Sequence, residues 1–119
     1  MRSRIPVRPK PSLWSGLNPP PLSRTRTNAL PRPVNPKGAL LYIHGGGFVA
    51  GHPPMYRPFC GALANALGFS VFMVDYRLAP EHPAPAAHDD ALAAYQWALA
   101  NGYAASAIAL AGDSAGGNL

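Results

Sequence analysis

Residues 107–119 read Ala107-Ile108-Ala109-Leu110-Ala111-Gly112-Asp113-Ser114-Ala115-Gly116-Gly117-Asn118-Leu119, and the architecture of the chain follows from how this run must fold. Its first five residues are small, apolar and uncharged, which suits a strand buried on both faces of a parallel sheet. Gly112-x-Ser114-x-Gly116 then has the form of a nucleophile elbow, a serine at the end of a strand that turns sharply into a helix. Such a turn strains the serine backbone and requires small neighbours two positions away, a need met by Gly112 and Gly116. A pentapeptide of common residues also recurs by chance, so the preceding sequence has to supply the context.

Upstream of the elbow, Ala86 to Asn101 predicts an alanine-rich helix that buries Leu92, Tyr95 and Leu99, with Asp89 and Asp90 as first-turn charges favouring the helix dipole. Arg77-Leu78-Ala79-Pro80-Glu81-His82-Pro83-Ala84-Pro85 holds three prolines too close together for a helix, so it reads as a structured loop. Ser70 to Tyr76 predicts a second buried strand. Tyr56 to Leu67 predicts a helix with Phe59, Leu63 and Leu67 on its apolar stripe and Gly68 as its stop. Ala39 to Ile43 predicts another buried strand, which opens into His44-Gly45-Gly46-Gly47-Phe48. Strand, helix and strand in this order form a βαβ unit, and its ligand-binding groups are expected at the C-terminal ends of the strands.

The first 37 residues have a different character. They hold nine of the fifteen prolines and eight of the ten Lys and Arg, while all five acidic residues follow residue 38, so the leader is +8 and the remainder −3. Proline at that density removes amide donors and fixes φ, so residues 1–37 are expected to be a largely irregular, solvated leader. The net charge of +5 therefore belongs to the leader and does not mark residues 38–119 as a nucleic-acid binder. Cys60 is the only cysteine, which excludes an internal disulfide and a cysteine-based zinc cluster. With no apolar run of membrane-span length and no apolar signal core, a cytoplasmic location is the expectation.

Three blocks together give the chain a resemblance to the hormone-sensitive-lipase-like esterases of the α/β-hydrolase fold. They are His44-Gly45-Gly46-Gly47-Phe48, Asp75-Tyr76-Arg77-Leu78-Ala79-Pro80-Glu81-His82-Pro83 with Pro85, Ala86 and Ala87, and Gly112 to Asn118, in the order found in that family. The resemblance implies the N-terminal part of a three-layer α/β/α sandwich with a mostly parallel sheet. It also implies a carboxylic-ester hydrolase acting on short or medium acyl esters through an acyl-enzyme, with no cofactor and no metal. Ser114 would be the catalytic nucleophile, and the amides of Gly46, Gly47 and Ala115 would form the oxyanion hole. His44, Gly45, Gly112 and Gly116 would support that motif, His44 through a structural hydrogen bond that steadies the glycine loop. Asp75 and Arg77 would join a buried structural network beneath the site.

The family's triad acid and histidine follow the elbow in chain order, beyond Leu119, whereas His52, His82 and His88 all precede it. Residues 1–119 alone are therefore expected to have little or no esterase activity. The family also carries a cap region and two antiparallel strands where this chain has its leader, and no strand reads there. The expected partner is a small-molecule ester, with no nucleic acid. A non-catalytic small-molecule-binding protein on the same fold is the alternative from a different functional class.

Overall fold

Four strands form one sheet: β1 (Leu22–Arg24), β2 (Ala39–Ile43), β3 (Ser70–Val74) and β4 (Ile108–Gly112). The structure is a computed structural model that describes residues 37–119 together with the backbone of residues 22–24. The sheet order is β1-β3-β2-β4. In the centre, β2 runs parallel to both neighbours, with Ile43 opposite Val74 of β3 and Gly112 of β4.

Side-chain alternation along these strands produces two separate cores. Leu40, Tyr42, Val71 and Met73 point to one face, where they meet Cys60 of α1 (Arg57–Leu67). Ala39, Leu41, Ile43, Phe72 and Val74 point to the other and pack on Ala87, Ala94 and Ala98 of α2 (Ala86–Ala100). Because both of their faces are covered, β2 and β3 are buried throughout and apolar at every position but Ser70. The result is an α/β/α layering around a mostly parallel sheet, as the sequence predicts.

Four expectations require correction. The strand ahead of the elbow is expected to be buried on both faces, yet Leu110 is 62% exposed and no residue of β4 is fully buried, because among the described residues β4 is an edge of the sheet. Residues 22–24 do form a strand, antiparallel to β3 with Leu22 opposite Val74 and Arg24 opposite Phe72. These residues lie in a proline-free stretch after Pro19-Pro20-Pro21, and an edge strand needs far fewer free amides than a central one. The rest of the leader lies outside the described residues, apart from Lys37.

The helices also bury other faces than their large side chains predict. On α1, Phe59 and Leu67 are exposed, and Cys60 and Gly61 are buried instead. On α2, the buried line runs through Ala87, Asp90, Ala94 and Ala98, whereas Leu92 and Leu99 are exposed. Small residues let a helix approach a sheet closely, so alanines rather than leucines mark the contact line. Leu92 and Tyr95 instead border a cavity of about 420 Å³ between α2 and β4, which Leu110 and Leu119 also line.

α1 stops where predicted. Gly68 takes the left-handed conformation at φ +67° and donates its N–H to the Ala64 carbonyl at 3.0 Å.

Candidate active site

The parallel register decides what meets at the C-terminal end of the sheet. Ile43 pairs with Gly112, so the next residues of the two strands, His44 and Asp113, leave the sheet side by side. The glycine loop and the elbow, 70 residues apart in the chain, are thereby brought together.

At the elbow, Ser114 has φ +49° and ψ −118°, a conformation that L-residues rarely adopt, and it precedes the short helix α3 (Ala115–Asn118). A residue held there costs about 1–3 kcal/mol and persists only when its surroundings fix it. The fixing comes from close backbone contact. A Cβ at Gly112 would lie 2.6 Å from the Gly116 carbonyl carbon, and one at Gly116 would lie 2.7 Å from the His44 oxygen and closer still to that of Ile43. Both glycines are thus required by the approach of α3 to β4 and β2. The Gly116 N–H donates to the Asp113 carbonyl at 2.9 Å and closes the turn, leaving Ser114 exposed.

In the loop, Gly46, Gly47 and Phe48 all have positive φ, at +127°, +64° and +66°. The Gly46 carbonyl accepts from the Val49 and Ala50 amides at 3.2 and 3.0 Å, and the Phe48 carbonyl accepts from Ala79 N–H at 2.8 Å. The loop is therefore tied both to itself and to the proline-rich segment after β3. Among the described residues, the Gly46, Gly47 and Ala115 amides donate to no protein group, so three donors remain free at this end of the sheet. A cavity of about 410 Å³ opens beside Gly47 and Phe48, lined also by Ala79, His82, Ala87 and Asn118.

His44 is buried, with Nδ1 2.6 Å from the Gly45 carbonyl and its ring stacked on Tyr76 at 4.4 Å. Tyr76 in turn donates its hydroxyl to the His44 carbonyl at 2.6 Å. With Nδ1 donating to Gly45, the ring holds the loop, while Nε2 is buried and has no partner among the described residues. His52, His82 and His88 are exposed, and among the described residues no histidine hydrogen-bonds to Ser114.

Asp113 turns away from the elbow and accepts from three donors. Oδ1 takes the Tyr42 hydroxyl at 2.8 Å and the Gly45 amide at 2.9 Å, and Oδ2 takes the Tyr56 hydroxyl at 3.2 Å. Burial pushes this carboxyl up, but the bonds from Tyr42, Gly45 and Tyr56 outweigh it and hold the group below its usual range. Burial, with help from Asp113, pushes the Tyr42 and Tyr56 phenols up and the Cys60 thiol to about 11, so Cys60 is an inert core residue.

A folded-state value below the unfolded one means that Asp113 stabilises the protein fully above the ordinary carboxylate range, near pH ~4. That stability is lost as pH falls through the depressed folded value. Melting temperatures measured from pH 6 down to pH 2.5 should therefore fall less steeply in Asp113→Asn than in wild type.

The loop after β3 has its own anchor, though not the expected one. Arg77 pairs with Asp90 of α2: Nη2 lies 2.9 Å from Oδ1, Nε lies 2.9 Å from Oδ2, and the Arg77 amide donates to Oδ2 at 2.8 Å. Asp90 is therefore a buried ion-pair partner rather than a simple end charge, and Asp75 has no part in the pair. The Asp90 side chain is 7% exposed and that of Arg77 37%, so removing the arginine strands the more buried charge. Arg77→Leu should cost about 2–4 kcal/mol and Asp90→Asn about half as much, as read by urea denaturation.

The sequence reading missed the clamp of Tyr42, Tyr56 and Asp113. A signal existed in Tyr42, whose hydroxyl sits in an otherwise apolar buried strand and must find an acceptor.

Comparison with known proteins agrees with this geometry. Residues 40–119 match a family model described as alpha/beta hydrolase fold. The chain is 46% identical over 87 residues to Lipase 2 of Moraxella sp. (strain TA144), a match covering 70% of this chain and 20% of that protein. It is 42% identical over 100 residues to hormone-sensitive lipase of Mus musculus, covering 81% of this chain and 13% of the relative. Among solved structures, an esterase from the bacterial hormone-sensitive lipase family superposes with a TM-score of 0.66 at 50% identity, covering 69% of this chain and 28% of that one. A hyperthermophilic esterase from the archaeon Pyrobaculum calidifontis gives 0.68 at 48% identity, covering 73% and 30%. This chain thus spans less than a third of the length of each of these relatives.

Proposed function

This chain belongs to the α/β hydrolase fold family, in its hormone-sensitive-lipase-like branch, and from that premise we propose that residues 38–119 furnish the nucleophile and oxyanion hole of a serine carboxylic-ester hydrolase. The observation that carries the proposal is the exposed Ser114 at φ +49°, held beside a loop whose Gly46 and Gly47 amides are unengaged.

In this reading Ser114 Oγ attacks the ester carbonyl as a base takes its proton. The Gly46, Gly47 and Ala115 amides donate to the oxygen that becomes negative in the tetrahedral intermediate. Collapse expels the alcohol, protonated by the same base, and leaves an acyl-serine that water then hydrolyses. The substrates are short or medium acyl esters, in keeping with relatives named Ethyl acetate hydrolase and Acetyl-hydrolase.

In this reading the base and its acid come from polypeptide outside residues 1–119, as the family's chain order of serine, acid and histidine implies; the engagement of His44 with the Gly45 carbonyl supports it. Residues 1–119 alone should accordingly turn over a short-chain nitrophenyl ester no faster than a Ser114→Ala control. A longer polypeptide that carries this sequence with its acid and histidine should hydrolyse the ester with Ser114-dependent turnover. Comparable turnover by residues 1–119 would overturn the placement of the base. Binding of an ester without turnover by the longer polypeptide would instead favour a non-catalytic binding protein that uses the 410 Å³ cavity beside Gly47.

A further inference from the structure

We propose that Asp113 is a positioning residue for the hydrolysis described above, setting the distance between the attacking serine and its oxyanion donors by clamping the glycine loop to the elbow. The proposal rests on the esterase reading. Asp113 immediately precedes Ser114, and its Oδ1 accepts the amide of Gly45, which immediately precedes Gly46 and Gly47. Among the described residues, it is the only side chain that hydrogen-bonds from the elbow to the loop.

The carboxylate is itself held from two further elements. Tyr42 donates from the end of β2 at 2.8 Å, and Tyr56 donates at 3.2 Å from the 3₁₀ turn Pro53–Tyr56 ahead of α1. Three donors converging on a single carboxylate leave it little freedom to rotate. The Gly45 amide is thus fixed relative to the Cα next to Ser114. Among the described residues, no other side chain reaches Gly46 or Gly47 from the elbow; backbone bonds within the loop and from Ala79 to Phe48, with positive φ, set the rest of their geometry. Catalysis by amide donors is steep in distance, since losing one donor costs on the order of 10²- to 10³-fold, and a misplacement of about 1 Å costs on the order of 10²-fold.

A carboxylate acting through its charge would disfavour a developing oxyanion, which gives the test its sign. If Asp113 acted through charge, both neutral variants would behave alike. If it acts by positioning, Asp113→Asn, which retains an oxygen acceptor for Gly45 and Tyr42, should rescue most of what Asp113→Ala loses.

The experiment uses the longer polypeptide that carries this sequence, with kcat and KM for a short-chain nitrophenyl ester and Ki for a trifluoromethyl ketone. That probe forms a tetrahedral adduct and needs the same donors. Asp113→Ala should lower kcat on the order of 10²-fold with KM within about threefold, and should raise Ki in proportion. Asp113→Asn should stay within about tenfold of wild type in both. Ala98→Gly, at the far end of α2, serves as a stability-matched control and should melt lower with kcat and Ki unchanged. Tyr42→Phe removes one bond to Oδ1 and covers the case in which Asp113→Ala does not fold; it should lower kcat about fivefold at constant KM.

Wild-type kcat and Ki in Asp113→Ala would overturn the proposal, as would unchanged kcat in Tyr42→Phe or an equal kcat loss in Ala98→Gly. Those results would leave the esterase reading standing. A wild-type protein without Ser114-dependent turnover would overturn both.

Discussion

Ser114→Ala should abolish ester hydrolysis by the polypeptide that combines this sequence with its base. The expected loss is on the order of 10⁴- to 10⁶-fold in kcat, the scale at which removing a serine nucleophile leaves only binding and oxyanion stabilisation. The fold should survive the change. Ser114 is exposed, and among the described residues its side chain makes no capping hydrogen bond to the turn, so the change in stability should remain within about 0.5 kcal/mol. Ser114→Gly separates strain from chemistry further. It should lose the same activity yet gain about 1–2 kcal/mol, because glycine adopts φ +49° without penalty. Initial rates on a short-chain nitrophenyl ester together with urea denaturation of all three proteins check both halves.

Gly116→Ala has the largest expected effect on folding. The added methyl would press on the carbonyl of Ile43 and lie 2.7 Å from that of His44, and both obstacles are backbone with no flexible side chain to yield. Relieving the clash means lifting α3 off β2 and carrying Ser114 with it. A cost above ~4 kcal/mol, at the extreme of single substitutions, would remove most of the ~5–15 kcal/mol that holds an ordinary domain together. Gly117→Ala is the matching control. Its nearest neighbour outside the adjacent chain is the Gly112 carbonyl oxygen at 3.4 Å, an ordinary contact, so this variant should melt within a few degrees of wild type. Soluble yield and circular-dichroism melting curves distinguish the pair.

The two glycines show why the sequence was legible here. A motif that demands small residues at fixed spacing reports backbone packing directly, without any need to know what lies across the gap. The three parallel strands were legible for a similar reason. In β2 and β3, burial on both faces leaves little room for polar positions, and the apolar runs at 39–43 and 71–74 show it; the equally apolar run at 108–112 is a strand, but only a partly buried one. The buried faces of the helices are less legible, because large apolar side chains do not mark them here. Ala94 and Ala98 sit against the sheet, and Leu92 and Leu99 do not. Amphipathicity read from leucines fails where alanine permits closer approach than leucine.

The roles of Asp90 and Asp113 are not legible in the sequence for another reason. Their partners, Arg77, Tyr42, Gly45 and Tyr56, lie 13 to 71 positions away, and only the fold brings them within hydrogen-bonding distance. The strand at Leu22–Arg24 was hidden by the prolines around it, since proline density describes the whole leader and not the short gap within it.

Ser114 is expected to attack acyl and phosphonyl centres once a base is supplied. Labelling with a fluorophosphonate, followed by peptide mass spectrometry, should then give a single adduct on the peptide containing Asp113-Ser114-Ala115, formed by the polypeptide that carries the base and absent in Ser114→Ala. Ester turnover accompanied by an adduct on any other residue, or turnover that persists in Ser114→Ala, would contradict it.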